Sequence, residues 1–476
     1  MAIGDDSPRD HHPEEKSAEG TASSDGPIET AEWDLKVEAR ARRKIDSSVL
    51  LLLFLGLLVF QLDRMNLASA LTGGFATDIK VSQDAINLGN QLMFMGIVVL
   101  EIPCNMALQR LGPRKWISGQ VFVFGLVATL QLLLKNRTGF LVSRLVLGLA
   151  EAGYIPGAIY TLSTWYTKGS WRSEWQFSFS LDGSRGLRGW QWLFLLEGLF
   201  TICVSFLLLL FLPGSPDIPK PLIGRGLVKF SSEDKKVLQS RLEADDLGKR
   251  PGAQGLLIDW KLVWSTVSHY RRWPHYVSTF AVFSTWSPLT TYTPSIIMSL
   301  GFERITANAL ASVGAFIALL VVFAFAYISD RTGYRGGSVI LAHVCYLIVL
   351  ITARQAHPHV GKWSRWGLWT AVNSFAVGYH PVHNTWVQLN CVDAGERSIA
   401  IAMWVMSAIS GLMVGTQYFR ANDTPFYQTG LRTMIIMVSV GMAFAIIQVL
   451  VYRIHNKRLA KRGAQEQGRS VQLYTI

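Results

Sequence analysis

Long stretches of this 476-residue chain contain no Asp, Glu, Lys or Arg. Only 16% of the residues are charged, whereas half are hydrophobic. An uncharged, apolar run of about 18 or more residues is long enough to cross a bilayer as a helix. This composition excludes an ordinary soluble protein and predicts an all-α polytopic membrane protein. The uncharged runs are 116–134, 276–302, 305–329, 336–353, 366–392, 398–419 and 433–452.

Cysteine is scarce as well, because the chain has four cysteines and no CxxC spacing. This scarcity excludes a disulfide framework and a zinc site. The sequence also lacks a GxSxG motif and a helix-borne His/Asp cluster. We therefore expect no cofactor, no metal and no enzymatic activity.

Acidic residues are outnumbered, which gives a net charge of +12. The basic residues cluster at 40–44, in a central loop and at 453–462, next to apolar runs. This distribution follows the positive-inside rule and does not indicate nucleic-acid binding. It predicts a multi-pass protein of the plasma membrane with both termini in the cytoplasm.

The pattern of runs divides the chain into five parts. They are a disordered N-terminal tail (1–45), an N-terminal membrane half (46–212), a cytoplasmic central loop (213–272), a C-terminal membrane half (273–452) and a basic tail (453–476). In the central loop, Ser231-Ser232-Glu233-Asp234 predicts a helix start, with acids in the first turn.

Eleven apolar runs are convincing, but two cytoplasmic termini require an even number of crossings. Residues 169–188 carry five charges and cannot form an ordinary span. This segment is either a short, distorted crossing or the remainder of a lost one. We favour a lost segment.

Two short sequence matches indicate a duplicated unit. Residues 109–114 match 330–335 at an offset of 221, and 153–156 match 378–381 at an offset of 225. Nearly equal offsets predict a parallel repeat of two halves, as in many secondary transporters.

Several charges interrupt the apolar runs of the first half. Arg144 and Glu151 lie seven residues apart, on one face of one helix. Asp63 and Arg64 are adjacent, so they point about 100° apart and cannot share a partner. A charge in the bilayer costs at least ~2.5–3.5 kcal/mol and usually faces a bundle interior or a wet cavity. These charges indicate either a transport pathway or structural ion pairs between helices.

A second polar interruption lies in the tenth run, at His380, Pro381, His383 and Asn384. The two histidines are i, i+3 neighbours, but no acid or cysteine accompanies them, so a metal site is not favoured. Two interpretations stay open, a polar lining for a substrate and simple bonding between helices. Pro381 predicts a kink.

The loop matches resemble the signature of the major facilitator superfamily. One copy contains Arg110, Gly112 and Arg114, and the other contains Asp330, Arg331, Gly333 and Arg335. The first copy departs from the pattern, with Gln109 in place of the acid. More narrowly, the chain is similar to the anion:cation symporters, in particular to fungal allantoate permease-type transporters. The motifs that carry this resemblance are Leu62-Asp63-Arg64-x-Asn66, Glu101-Ile-Pro103-x-Asn105, Arg144-x6-Glu151-x-Gly153 and Gly189-Trp190-Gln-Trp192-Leu-Phe-Leu-Leu-Glu197-Gly198.

The resemblance implies a twelve-helix fold of two six-helix halves, here with the fifth helix missing or truncated. It also implies the uptake of a small organic anion, such as a vitamin or ureide, together with protons. We expect the protein to be a monomer. Substrate contacts are then expected at Arg144, Arg64, His380 and Asn384, proton coupling at Glu151 and Asp63, and gating at the seven loop-signature residues. The alternative is a nutrient sensor or transport-defective relative that lacks a complete fifth helix.

Overall fold

The computed structural model describes residues 35–163, 165, 188–215, 218–223, 226, 228–247, 260–391, 394–465 and 473–475. Within these ranges every regular element is helical, which confirms the all-α prediction. Of the anomalous segment 169–188, all residues except Arg188 lie outside the described residues, and so do residues 1–34 of the N-terminal tail.

Among the described residues, ten helices form the N-terminal half and the central loop. They are α1 (Leu35–Ile45), α2 (Leu51–Thr72), α3 (Phe75–Asp78), α4 (Gln83–Leu111), α5 (Pro113–Leu130), α6 (Arg137–Glu151), α7 (Tyr154–Ser163), α8 (Gly189–Phe211), α9 (Ser232–Leu247) and α10 (Trp260–Val267). A π-helical turn at Asp46–Leu50 joins α1 to α2 without a break.

The described part of the C-terminal half contains eight helices. They are α11 (Trp273–Phe283), α12 (Trp286–Ser299), α13 (Arg304–Thr332), α14 (Arg335–Ala356), α15 (Lys362–Phe375), α16 (His380–Leu389), α17 (Ala394–Gly415) and α18 (Gln428–Gln465). The last helix continues well past the predicted end of the membrane half at 452.

Among the described residues, eight helices are long and apolar enough to cross a membrane. The other three apolar runs are each split into two short helices, α6/α7, α11/α12 and α15/α16. Large apolar side chains such as Val99, Leu133 and Ile348 are exposed on the helix surfaces. A surface of this kind suits contact with lipid tails.

The bundle has two ends, which we call the loop face and the far face. The loop face carries α9 and α10, and the Trp165 ring beyond α7 lies 5.6 Å from Phe230 there. The start of α8 is at the far face, where the Trp190 indole donates to Asp78 at 2.7 Å. The chain therefore leaves α7 at one face and enters α8 at the other.

The end of the chain returns to the loop face of the C-terminal half. The Asn456 side chain pairs with both the backbone N–H and the carbonyl of Tyr474. Asn390 binds the backbone of Thr475 in the same two-point way, and Trp386 donates to the same carbonyl at 2.8 Å. Since α1 also begins at the loop face, the first and last described residues lie on the same side of the bundle.

The predicted disorder of 1–45 is wrong for its last residues, because α1 is a helix docked on α9. Lys44 binds the buried Asp234 carboxylate at 2.5 Å, and Arg40 binds Asp234 and Glu233. The predicted helix start is confirmed, since Ser231 Oγ accepts from the Asp234 N–H and Asp234 accepts from the Ser231 N–H. Burial opposes ionisation of Asp234, but the Lys44 and Ser231 hydrogen bonds lower its pKa to about 2.

We expect the Asp234→Asn substitution to loosen the docking of α1 on α9. Because the pKa of Asp234 is lowered on folding, its contribution is complete above about pH 4 and decreases as the pH falls toward 2. Hydrogen exchange of 232–247 should therefore accelerate about tenfold in the variant at neutral pH, for a loss of ~1–2 kcal/mol. The matched control is Glu233→Gln, whose carboxylate is 74% exposed, and equal acceleration there would contradict the prediction.

Candidate functional site

The first buried charge pair joins α2 to α6. Arg64 Nε donates to Glu151 Oε2 at 3.1 Å, and the Glu151 side chain is fully buried. The Arg64 guanidinium also lies 4.2 Å from the centre of the Phe60 ring. Arg64 Nη2 and Glu151 Oε1 have no hydrogen-bond partner among the described residues. The pair is thus held by one contact and has one buried donor and one buried acceptor to spare.

Asp63 is a second buried acid of α2, and its side chain points elsewhere. Asp63 is 2% exposed, and neither of its carboxylate oxygens has a hydrogen-bond partner in the described part of the chain. Arg64 binds Glu151, so Asp63 and Arg64 share no partner among the described residues.

Arg144 of α6 binds a neutral amide. Its Nη2 donates to Asn90 Oδ1 at 2.7 Å, and its buried Nε has no partner among the described residues. Asn90 Nδ2 in turn donates to Thr291 Oγ1 of α12 at 3.2 Å. Arg144 therefore lies where the two halves meet, and two hydrogen bonds through Asn90 connect it to the C-terminal half.

Glycine permits the close approach of α4 and α6 that brings Asn90 to Arg144. A Cβ atom on Gly148 would lie 2.0 Å from the Met93 carbonyl oxygen, and one on Gly96 would lie 3.0 Å from the Leu149 nitrogen. Small residues let membrane helices pack backbone against backbone. Gly148 is one turn from Arg144, so this contact fixes the position of Arg144 along α4.

The break between α6 and α7 exposes backbone groups that the bilayer cannot hydrate. Gly153 adopts a φ of +77°, and its N–H donates to Glu101 Oε2 at 2.9 Å. Gln120 donates to the carbonyls of Ala150 and Ala152. Glu101 lies well inside α4 and not near its end, and it supports the break below Glu151.

In the C-terminal half, the predicted substrate residues lie around the break before α16. The His380 ring lies 4.7 Å from the Phe283 and Trp404 rings. Asn384 accepts from Gln388 at 3.3 Å on the same helix. Pro381 follows the break directly, as its predicted kink requires, since proline cannot donate to the carbonyl four residues earlier.

His383 belongs to a buried chain of neutral hydrogen bonds. Its Nε2 lies 2.9 Å from His275 Nδ1, and His275 Nε2 lies 3.1 Å from the Tyr452 hydroxyl. The chain joins α16, α11 and α18. No group of three or more His, Cys, Asp or Glu residues in the described ranges is arranged to hold a metal ion.

The two loop-signature copies lie at equivalent turns of the loop face, after α4 and after α13. Gly112 and Gly333 both have positive φ values, of +85° and +67°. In the second copy Arg335 forms an ion pair with Asp330 and donates to Ser329 Oγ at 2.9 Å. In the first copy, which lacks the acid, Arg114 donates to the Lys220 carbonyl at 3.0 Å.

Arg110 and Arg331 are exposed at the ends of the same two helices.

Sequence reasoning missed the polar residues that contact the other half. Asn87 accepts from the Tyr292 hydroxyl, and Asn90 connects Arg144 to Thr291. All five side chains are buried or nearly so. The available signal was the spacing of the amides of α4, which recur every three or four residues in an apolar helix.

The chain belongs to a known family of membrane transporters. The sequence profile of the Major Facilitator Superfamily matches residues 53–416, which is most of the chain. This match confirms the superfamily resemblance. The protein is therefore a multi-pass membrane transporter and not an enzyme.

Two individual relatives and one solved structure are also similar to this chain. An "Uncharacterized transporter" of Saccharomyces cerevisiae is 24% identical over 89% of this chain and 82% of its own length. A protein of Agrobacterium vitis named "Putative tartrate transporter" is 27% identical over 64% of this chain and 68% of its own. The solved structure is the proton:xylose symporter XylE bound to 6-bromo-6-deoxy-D-glucose, which superposes on this chain with a TM-score of 0.60 at 14% identity. The superposition covers 84% of this chain and 94% of that chain, so the two share the fold.

We expect Gly148→Ala to damage the site without touching a charge. The added methyl group would collide with the Met93 backbone, so α4 and α6 must separate. Overpacking of this kind costs ~1–3 kcal/mol. Thermal unfolding in detergent should show a Tm lowered by several degrees. The matched control is Gly119→Ala on the exposed face of α5, where nothing lies within 4 Å, and a similar loss there would refute the role given to the contact.

Proposed function

We propose that this transporter carries a small organic anion together with protons by alternating access. The observation that carries the proposal is the buried set of two arginines and two acids in α2 and α6. Arg64 is paired with Glu151, whereas Arg144 and Asp63 keep buried polar atoms without partners in the described residues. Charged side chains at this depth are costly and usually mark a substrate or proton path.

The charge balance explains why a proton would accompany the anion. A carboxylate that entered this site alone would add one uncompensated negative charge to a low-dielectric region. A proton taken up by Glu151 or Asp63 cancels that charge. Protonation of Glu151 also weakens its contact with Arg64, which frees a second guanidinium for the substrate. Arginine suits this task because it can bind a carboxylate through two parallel hydrogen bonds.

Neutral groups of the C-terminal half would complete the site. The proposed lining is His380 and Asn384, which lie on α16 close to its break. Broken helices of secondary transporters commonly surround a midplane substrate site. The "Putative tartrate transporter" of Agrobacterium vitis supports a carboxylate as the transported group.

The proposal includes an orientation. The basic residues of α1 and of the end of α18 lie at the loop face, so the positive-inside rule makes this face cytoplasmic. We place the protein in the plasma membrane as a monomer, with the loop-signature arginines and Asp330 acting as cytoplasmic gating contacts.

The decisive test is uptake of labelled nicotinate, allantoate and tartrate by yeast that lack their own permeases. We expect uptake that rises at acidic external pH and falls at least a hundredfold in Arg144→Ala. Arg144→Lys should retain part of the activity, because lysine keeps the charge but loses the two-point geometry. The matched control is Arg137→Ala, an exposed arginine on the same helix. Carboxylate uptake by Arg144→Ala at the normal rate would disprove the anion-binding role.

We expect Glu151→Gln to separate binding from proton coupling. The amide cannot gain and lose a proton, so the variant should exchange anion across the membrane but fail to concentrate it. Accumulation ratios in proteoliposomes with an imposed pH gradient measure this difference. Glu303→Gln, at an exposed helix start, serves as the control. Normal accumulation by Glu151→Gln would disprove the coupling role of Glu151 and favour another acid, such as Asp63, in that role.

A further inference from the structure

A row of amide side chains on α4 joins the two halves at the far face. The row consists of Gln83, Asn87, Asn90 and Gln91, which we call the amide row. Gln83, Asn90 and Gln91 each lie three or four residues from Asn87, so all three are its neighbours on the surface of the helix. Gln83 and Asn87 donate to the Phe419 carbonyl at 3.0 and 3.3 Å, and Gln417 donates to Gln91 at 3.4 Å.

Two further contacts strengthen the same closure. The Tyr292 hydroxyl donates to Asn87 Oδ1, and Asn308 of α13 donates to Thr72 Oγ1 at 3.0 Å. These bonds connect α2 and α4 of one half with α12, α13 and the segment directly after α17 in the other. They hold the far face of the transporter closed in this structure.

Asn90 differs from its neighbours in the row because it also binds a charged group. Its single carbonyl oxygen accepts from Arg144 at 2.7 Å, while its NH₂ group donates to Thr291 at 3.2 Å. Asn90 is 4% exposed and Thr291 is 9% exposed, so water does not readily replace either bond. The Asn90 amide thus binds Arg144 and also takes part in closing the far face.

We propose that Asn90 is a positioning residue that couples the occupancy of Arg144 to the opening of the far face. This inference rests on the proposed function for its anion, a carboxylate held by Arg144. A carboxylate is a stronger acceptor than a neutral amide, so an anion that docks on Arg144 displaces Asn90 Oδ1. The freed amide turns to satisfy its buried oxygen, and its bond to Thr291 is lost.

Linkage makes the effect reciprocal. If anion binding favours an open far face, then opening favours anion binding by the same factor. The site would accept substrate most readily when the far face opens, and the empty transporter would return to the closed state through the Arg144–Asn90–Thr291 chain. Asparagine suits this role because an aspartate would compete with the substrate for Arg144 permanently.

The test measures closure directly and needs no substrate. In a protein with its four cysteines replaced by alanine, Thr72→Cys and Asn308→Cys place two thiols where a 3.0 Å hydrogen bond now joins the halves. The yield of oxidative cross-linking reports the closed fraction. The yield is measured for Asn90→Ala, for Arg144→Ala and for the double variant of the two. A second cycle uses Asn87→Ala in place of Asn90→Ala.

We expect Asn90→Ala and Arg144→Ala each to raise the open-to-closed ratio about five- to tenfold, within the usual range of coupling. Their double variant should show no further rise, because both remove the same chain. Asn87→Ala should open the far face to a similar degree but combine multiplicatively with Arg144→Ala, because Asn87 has no bond to that arginine. A purely structural role of Asn90 would give multiplicative effects in both cycles, and that result would overturn the proposal.

Millimolar nicotinate, allantoate or tartrate forms a second arm. A transported anion should lower the cross-linking yield of the parent and of Asn87→Ala, but not that of Asn90→Ala. An equal response of Asn90→Ala would overturn the coupling. If no anion acts while the Asn90 and Arg144 cycle is coupled, the proposed substrate class fails and the positioning role stands.

Discussion

The need to place charge inside a bilayer is the constraint on which the first half of this transporter depends. Arg64 and Glu151 neutralise each other across α2 and α6. Arg144 has no acid in direct contact among the described residues and is held by the amide of Asn90. Since an isolated charge at this depth is costly, these contacts fix how α2, α4 and α6 pack. These contacts leave some buried polar atoms without partners among the described residues. A proton and an anion require atoms of this kind.

Broken helices follow from the same constraint. A break frees backbone groups, and a membrane protein tolerates it only where other groups satisfy them. Glu101 and Gln120 do so beside Gly153, and short-range turns do so before His380. The sequence match between 153–156 and 378–381 falls on these two breaks, and the other match falls on the turns at Gly112 and Gly333. The repeats are therefore equivalent in position, although among the described residues only the first break has a buried ion pair beside it.

Much of the architecture was predictable, because uncharged runs, prolines and glycines act locally. The partner of Glu151 was not predictable, because helical spacing relates residues within one helix and Arg64 lies 87 positions away. Asn90 escaped notice for another reason, as a single amide costs little in a span and gives no pattern of charge. The docking of α1 was missed because its composition is polar, and its stability comes from Asp234, far along the chain.

The C-terminal half shows how a duplicated fold can divide its tasks. The chain from Tyr452 through His275 to His383 is satisfied with both imidazoles neutral, since each ring then offers one donor and one acceptor. The His380 ring packs against Phe283 and Trp404, and the Trp404 ring lies 6.5 Å from the His383 ring. Beside its broken helix the first half thus uses charged groups, whereas the C-terminal half uses shape and neutral hydrogen bonds and keeps its buried Arg272–Glu396 ion pair at the start of α11 and α17. Contacts that cross the interface, such as Asn90 with Thr291, are then the points where the state of the charged half can change the position of the neutral one.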